Sequence, residues 1–262
     1  MKWWLILCCM LTSSVYADGV DHSIWDALLS EHVRVFEGGK ATQIDYSGFK
    51  TEQKRLETYL GMLSKIDFDD FKRWSRAERL AFLVNAYNAW TVKLILTAYP
   101  DLESIKDLGG FFQTPWEKEF IPLFNQTITL DHIEHDLIRG SEEFNEPRIH
   151  FAVNCASIGC PALRNEAYTA EKLERQLQEQ TILFLSDKSR NYLDNSTLYV
   201  SPIFKWYQED FESGWRAINS LRELFALYAP SLGLKEQQKT ALQRGEFKIR
   251  FLDYDWSLND TP

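Results

Sequence analysis

"SRAERLAFLVNAYNAWTVKLILTAYP", residues 75–100, decides what kind of fold this chain builds. Ser75 followed three residues later by Glu78 is a capping box, and Pro100 marks the stop. From Leu80 to Leu96 the helix is apolar almost all round, as a central buried helix is and a surface helix is not. Asn85 and Asn88 interrupt this pattern, three apart and therefore on one face. Asparagine is a poor helix-interior residue, and its amide must be satisfied when buried. Two readings are open for the pair. They are struts for a neighbouring loop, or amide donors that line a pocket and stabilise an oxyanion.

Working outward, the spacing predicts a helix over 23–36 and a hairpin from "EFIPLF" and "TITL" joined at Asn125-Gln126. "LDHIEHDLIR", 130–139, reads as a short helix and "PRIHFAVN", 147–154, as a strand. A helix capped by Thr169 covers 169–187, and "NYLDNSTLYV", 191–200, is a hairpin turning at Asn195-Ser196. A late helix over 218–230 and a final strand within 247–259 complete the chain. The expected class is α+β: a helix-rich single domain, 18–262, around a small, largely antiparallel sheet.

The first 17 residues read as a cleaved signal peptide. Lys2 supplies the positive start, Trp3–Leu11 a short apolar core, and Val15-Tyr16-Ala17 a cleavage pattern. The expected location is therefore periplasmic or secreted. Cleavage removes Cys8 and Cys9, leaving Cys155 and Cys160 in an oxidising compartment. Loss of Lys2 takes the formal charge from −9 to −10. An acidic chain without a basic cluster is a poor partner for nucleic acid or anionic membrane. A peptide or small-molecule substrate is the expected partner, and no cofactor is implied.

Polar residues in apolar surroundings mark the candidate site. On a wheel of about 100° per residue, Glu134 falls inside the apolar arc of Leu130, Ile133 and Leu137, and His135 lies at its edge. A carboxylate aimed at the core needs a partner. It is either a structural ion pair, with Arg148 as a candidate, or a site carboxylate beside a site histidine. In the expected strand, His150 shares a face with Arg148, Ala152 and Asn154. A direct His150–Cys155 pair then needs the chain to turn at Asn154, which "ASIG" permits. A packed core histidine is the competing reading. "NCASIGCP", 154–161, offers a thiol nucleophile, and such a thiol needs a base and a group to orient that base. Cys155, His135, His150, Glu134, Asn85 and Asn88 supply those types. In "FKWYQEDF", Trp206 and Tyr207 are either a cleft wall or an amphipathic core segment. "DYDWSLN" either closes over the site or packs the tail.

"NAYNAW", "LDHIEHDLI", "EPRIHFAVNCASIGCP", "FKWYQEDF" and "FLDYDWSLN", in this order, resemble the domain of unknown function 547 family over roughly Asp45 to Asn259. The resemblance implies kinship with papain-like and transglutaminase-like thiol enzymes, with the order of catalytic elements rearranged. It places the family's cysteine at Cys155, its acid–histidine pair at Glu134 and His135, its strand histidine at His150 and its asparagines at Asn85 and Asn88. Cys160 resembles a position that some relatives fill with serine, which favours Cys155 as nucleophile. His132 resembles a position often held by aspartate.

Three functions compete. The first is an exported thiol hydrolase or acyl transferase acting on a peptide or amide bond, with His135 as base ahead of His150. The second is a binding or scaffold module stapled by a Cys155–Cys160 disulfide. The third is a zinc site of His132, His135, His150 and a cysteine. The three-residue spacing of His132 and His135 is not the four-residue metalloprotease spacing.

Overall fold

The central helix, Arg76–Leu96, is where the packing starts. In the computed structural model, which describes residues 19–261, it carries the expected capping box: Ser75 accepts from the Glu78 amide while Glu78 accepts from the Ser75 amide. Sixteen of its 21 residues are buried, so apolar neighbours surround it. Helices Ser23–His32, Tyr46–Thr51, Gln53–Leu63 and Phe68–Arg73 precede it. They pack Trp25, Phe49, Tyr59 and Phe71 into a core shared with Leu80, Phe82 and Leu83. The expected signal peptide lies outside the described residues. Among the described residues, no helix is long and apolar enough to cross a membrane.

Among the described residues, seven short strands form three small sheets. β1 (Val33–Phe36) and β2 (Ala41–Ile44) make one antiparallel hairpin, and β3 (Ile121–Leu123) and β4 (Gln126–Ile128) another. β5 (Tyr192–Asp194) pairs antiparallel with β6 (Thr197–Val200), and β7 (Lys248–Phe251) joins β6 in parallel. The architecture is α+β, helix-rich with small, largely antiparallel sheets. A second buried cluster gathers Phe151, at the end of the 3-10 helix Pro147–Phe151, with Phe184, Phe204, Phe211 and Phe225 from the later helices, Leu173–Ser186, Ile203–Trp206, Gln208–Phe211 and Leu221–Leu227. Ile149 belongs to the first cluster and Phe151 to the second, so His150 sits at their seam.

Several expected elements differ. The helix over 23–36 ends at His32, because β-branched Val33 and Val35 pair with β2 across a turn. That turn bends through positive φ at Glu37, Gly38 and Gly39. The strand over 147–154 is a 3-10 helix, Pro147–Phe151, started by proline and capped by the Glu146 side chain. The helix after Thr169 begins only at Leu173, and Thr169 does not cap it. The β3–β4 turn falls at Phe124-Asn125, one residue early, both with positive φ. The 130–139 segment is helical, but His132–Arg139 follows i→i+5 hydrogen bonding, with the Gly140 amide on the His135 carbonyl at 2.8 Å.

Candidate active site

The wide helix His132–Arg139 brings Ile133 and Ile138, five residues apart, onto the core. Glu134 is buried beside them, as the wheel implied. His135 stays on the rim, its side chain 38% exposed. Arg139 Nη1 donates to His135 Nδ1 at 2.6 Å. A guanidinium has no acceptor, so in the neutral ring the proton is on Nε2, which faces Asp131 at 3.6 Å. Arg139 also forks onto Asp210, with Nε at 2.6 Å and Nη2 at 3.0 Å.

Asp210 in turn holds His150, whose Nε2 lies 2.7 Å from Asp210 Oδ2. The His150 ring is 1% exposed and stacks on Tyr207, with centroids 3.8 Å apart. Burial pushes its pKa down, against the pull of Asp210 and Glu134. A neutral His150 whose Nε2–H donates a hydrogen bond to Asp210 keeps a lone pair on Nδ1. That atom is buried without a hydrogen-bond partner among the described residues and faces Glu134 Oε1 at 3.8 Å. Burial pushes the Asp210 carboxyl up, but hydrogen bonds from His150 and Arg139 outweigh it and hold the group well below the usual carboxylate range. Tyr87, buried, and Tyr207, partly buried, face Glu134, and desolvation and that carboxylate keep both phenols protonated.

The asparagines of the central helix act as struts. Asn85 donates to the Tyr168 carbonyl at 2.8 Å and accepts from the Tyr168 amide at 3.0 Å. Asn88 donates to the Ala152 carbonyl at 2.9 Å and accepts from the Asn154 amide at 2.8 Å. Each amide places its oxygen and one N–H on backbone, and neither side chain lines the cavity that holds Cys155. Asn88 instead fixes the residue before Cys155. Arg148 pairs with Glu146 and Glu174 at 2.6 Å each, and not with Glu134.

Cys155 lies on a loop gripped from several sides. Asn154 accepts from the Ala156 amide and donates to the Pro161 carbonyl. Ala156 takes a left-handed φ of 60°, an uncommon state for a residue with a Cβ. The final segment clamps the loop through Ile158 to Ser257 and Gly159 to Asp255. A Cβ on Gly159 would stand 2.9 Å from the Asp255 carbonyl, so only glycine admits this approach. Cys155 and Cys160 are joined as a disulfide, with Cα atoms 6.1 Å apart. The Tyr254 hydroxyl lies 3.0 Å and the Ser157 hydroxyl 3.2 Å from Cys155 Sγ.

One cavity of about 270 Å³ unites these parts: Cys155, His135, His150 and Glu134 line it, together with Trp206. Asp131, Tyr207, Tyr254, Trp116 and Trp256 complete its walls. Every side chain expected in the site faces it except Asn85 and Asn88. Residues 71–185 match the family model "Protein of unknown function, DUF547". The DUF547 match holds Asn88, Glu134, His135, His150 and Cys155, whereas Trp206, Asp210, Tyr254 and Trp256 lie beyond it. No curated protein and no solved structure matches the chain.

Sequence reasoning missed Arg139 and Asp210. The signal for Asp210 was its position three after Tyr207 in "FKWYQEDF", one helical face from a residue already suspected. His132 is not in the cavity; it bonds Asp136 at 2.7 Å on the exposed side. The three histidines therefore do not converge on a metal. Elsewhere, ligand atoms of Glu31, His32 and Glu52 lie within 4.8 Å of one another, but Arg55 already sits 2.7 Å from both carboxylates.

Proposed function

We propose that this protein is an exported thiol enzyme that cleaves or transfers an acyl group at an amide or peptide bond. Cys155 is the nucleophile once the Cys155–Cys160 disulfide is reduced. The observation that carries the reading is one cavity holding Cys155 and a buried histidine whose far nitrogen is fixed by a carboxylate at 2.7 Å. These are the group types a nucleophile, base and orienting group need, and His150 Nδ1 is without a hydrogen-bond partner among the described residues, open to a thiol freed by reduction. His150 suits the base role better than His135. Asp210 occupies the His150 Nε2 proton and leaves Nδ1 with a lone pair, while Arg139 fills the His135 Nδ1 lone pair.

The chemistry runs in balanced steps. An external dithiol reduces the disulfide, itself becoming oxidised and leaving two cysteine thiols. His150 takes the Cys155 proton, the thiolate bonds to the acyl carbon, and the carbonyl oxygen becomes an oxyanion. The Tyr254 and Ser157 hydroxyls beside Sγ are the donors placed to meet it. Collapse breaks the C–N bond, and the amine departs with the proton from His150. Water or an acceptor amine then releases the acyl group. No solved structure supports the papain-like kinship, so the proposal stands on the chemistry of the cavity.

The disulfide favours a second reading, a binding module without turnover. Iodoacetamide labelling against pH, read by mass spectrometry with and without dithiothreitol, separates the two. The thiol enzyme requires a reduced Cys155 that alkylates with an apparent pKa below the usual thiol value of about 8.5. His150→Gln should raise that value and His135→Gln should move it less. A reduced Cys155 that is inert at neutral pH, or indifferent to His150→Gln, would leave the binding module.

A further inference from the structure

The cavity walls are aromatic and its fixed charge is negative. Tyr254 and Trp256 pack with centroids 4.5 Å apart, Trp206 and Tyr254 at 4.9 Å, and Trp116 and Trp256 at 5.8 Å, a continuous aromatic wall above Cys155. Two carboxylates, Asp131 and Glu134, line the same space, and no lysine or arginine does so among the described residues. The adjacent Arg139 is already matched by Asp210. The negative field shows in Asp131: burial pushes its carboxyl up, His135 pulls it down, and Glu134, Glu117 and Asp136 push it up again. One ring of this wall already meets a cation: the Lys106 ammonium, outside the cavity lining, lies 3.7 Å from the Trp256 ring centroid. A buried polar atom without a partner, His150 Nδ1, completes the set facing Glu134.

We propose that the cavity recognises an organic cation, so that the substrate carries an alkylammonium group held by the Trp116–Trp206–Tyr254–Trp256 wall and by Asp131. An aromatic face attracts a cation through its quadrupole, and the attraction grows when water is excluded. A carboxylate within the same low-dielectric wall adds Coulomb attraction that a neutral group of equal size does not receive. A neutral apolar substrate would leave Asp131 and Glu134 desolvated without compensation. An anionic one would meet two like charges. The inference rests on reading this cavity as the site of the thiol chemistry.

The test is calorimetric titration of the oxidised, full-length mature protein with choline and with its neutral carbon isostere, 3,3-dimethylbutan-1-ol. In the disulfide state Cys155 is unreactive, so binding is read apart from catalysis. Choline should bind about tenfold more tightly than the isostere, the scale of one desolvated cation–aromatic contact. Asp131→Asn should cut that preference to below about threefold, while Asp131→Glu retains most of it. Trp256→Leu should weaken choline, and Trp256→Phe should restore part of the loss. Equal binding of the two probes, binding of neither, or a preference untouched by Asp131→Asn would overturn the inference. A failed titration beside an activated Cys155 would leave the thiol reading standing. An inert Cys155 beside a clear cation preference would remove the thiol reading and leave the binding site.

Discussion

Asn88→Leu should unfold this protein more easily by about 2–6 kcal/mol, because it orphans two buried backbone groups at about 1–3 kcal/mol each. Asn88 is 2% exposed and bonds the Ala152 carbonyl at 2.9 Å and the Asn154 amide at 2.8 Å. Leucine has the same number and branching of side-chain heavy atoms, keeps the helix and fills the space. Water therefore cannot enter to replace the lost partners. Asn88→Ala opens room for a water that bridges the two groups, and should cost less than leucine despite removing more contacts. The assay is urea unfolding followed by circular dichroism, with the slope checked for constancy so that the midpoint reports stability. The strut also sets Cys155, one residue beyond Asn154. Alkylation of the reduced thiol should therefore change rate in Asn88→Leu under conditions where the variant is fully folded. A loss below about 1 kcal/mol, no more than one ordinary hydrogen bond, with unchanged alkylation, would refute the reasoning. The loop would then not hang from the central helix.

Arg148→Met should cost about 3–5 kcal/mol, since it strands a buried charge. Glu146, 5% exposed, loses its partner, and Glu146→Gln in the same chain should recover part of the loss in urea unfolding. His22 should make stability fall with acid. Burial pushes its pKa down to about 4, only partly offset by Asp21, whereas the unfolded chain titrates near 6.5. The unfolded state thus takes up the proton first, so stability is full above about pH 6.5 and declines as pH falls toward about 4. His22→Gln should flatten that part of the urea-midpoint profile, and an unchanged slope would place the acid sensitivity elsewhere.

The central helix was legible because cap, stop and all-round apolarity agreed. Glu134 was legible for a subtler reason: a wide turn and an α-turn both carry it inward, so the wrong period still gave the right face. The 147–154 segment was not legible. Its alternation of Arg148, Ile149, His150 and Phe151 fits a pleat, but a buried guanidinium and a buried imidazole needed specific partners. Glu146 lies next door, Glu174 is 26 residues on, and Asp210 is 60 residues from His150. Those long-range bonds, with Pro147 at the first turn, decide the backbone against the pattern. The same distance in sequence hid Asp210, which no local period could bring to His150. The β1–β2 hairpin, by contrast, was written in "VRVFEGGKATQI". Helical spacing in the first ten residues outweighed the β-branched pair and the two glycines that followed.

How the loop at 154–161 is held bears on what its disulfide is for. Closing so short a ring restricts the unfolded chain by only about 2 kcal/mol on the chain-entropy account. The folded loop has other anchors: Asn88 and Asn259 on Asn154, the Pro161 carbonyl on the Asn154 side chain, and the 255–259 backbone along Ile158 and Gly159. A staple is therefore a minor contributor in a chain with two large buried clusters. A histidine–carboxylate pair stands at the seam of those clusters, a second carboxylate faces that histidine, and two hydroxyls stand beside Cys155 Sγ. Each costs desolvation that an apolar residue would avoid. On the reading proposed above, these polar groups serve reactivity at Cys155, and the disulfide, which the fold scarcely needs, is the state that withholds it.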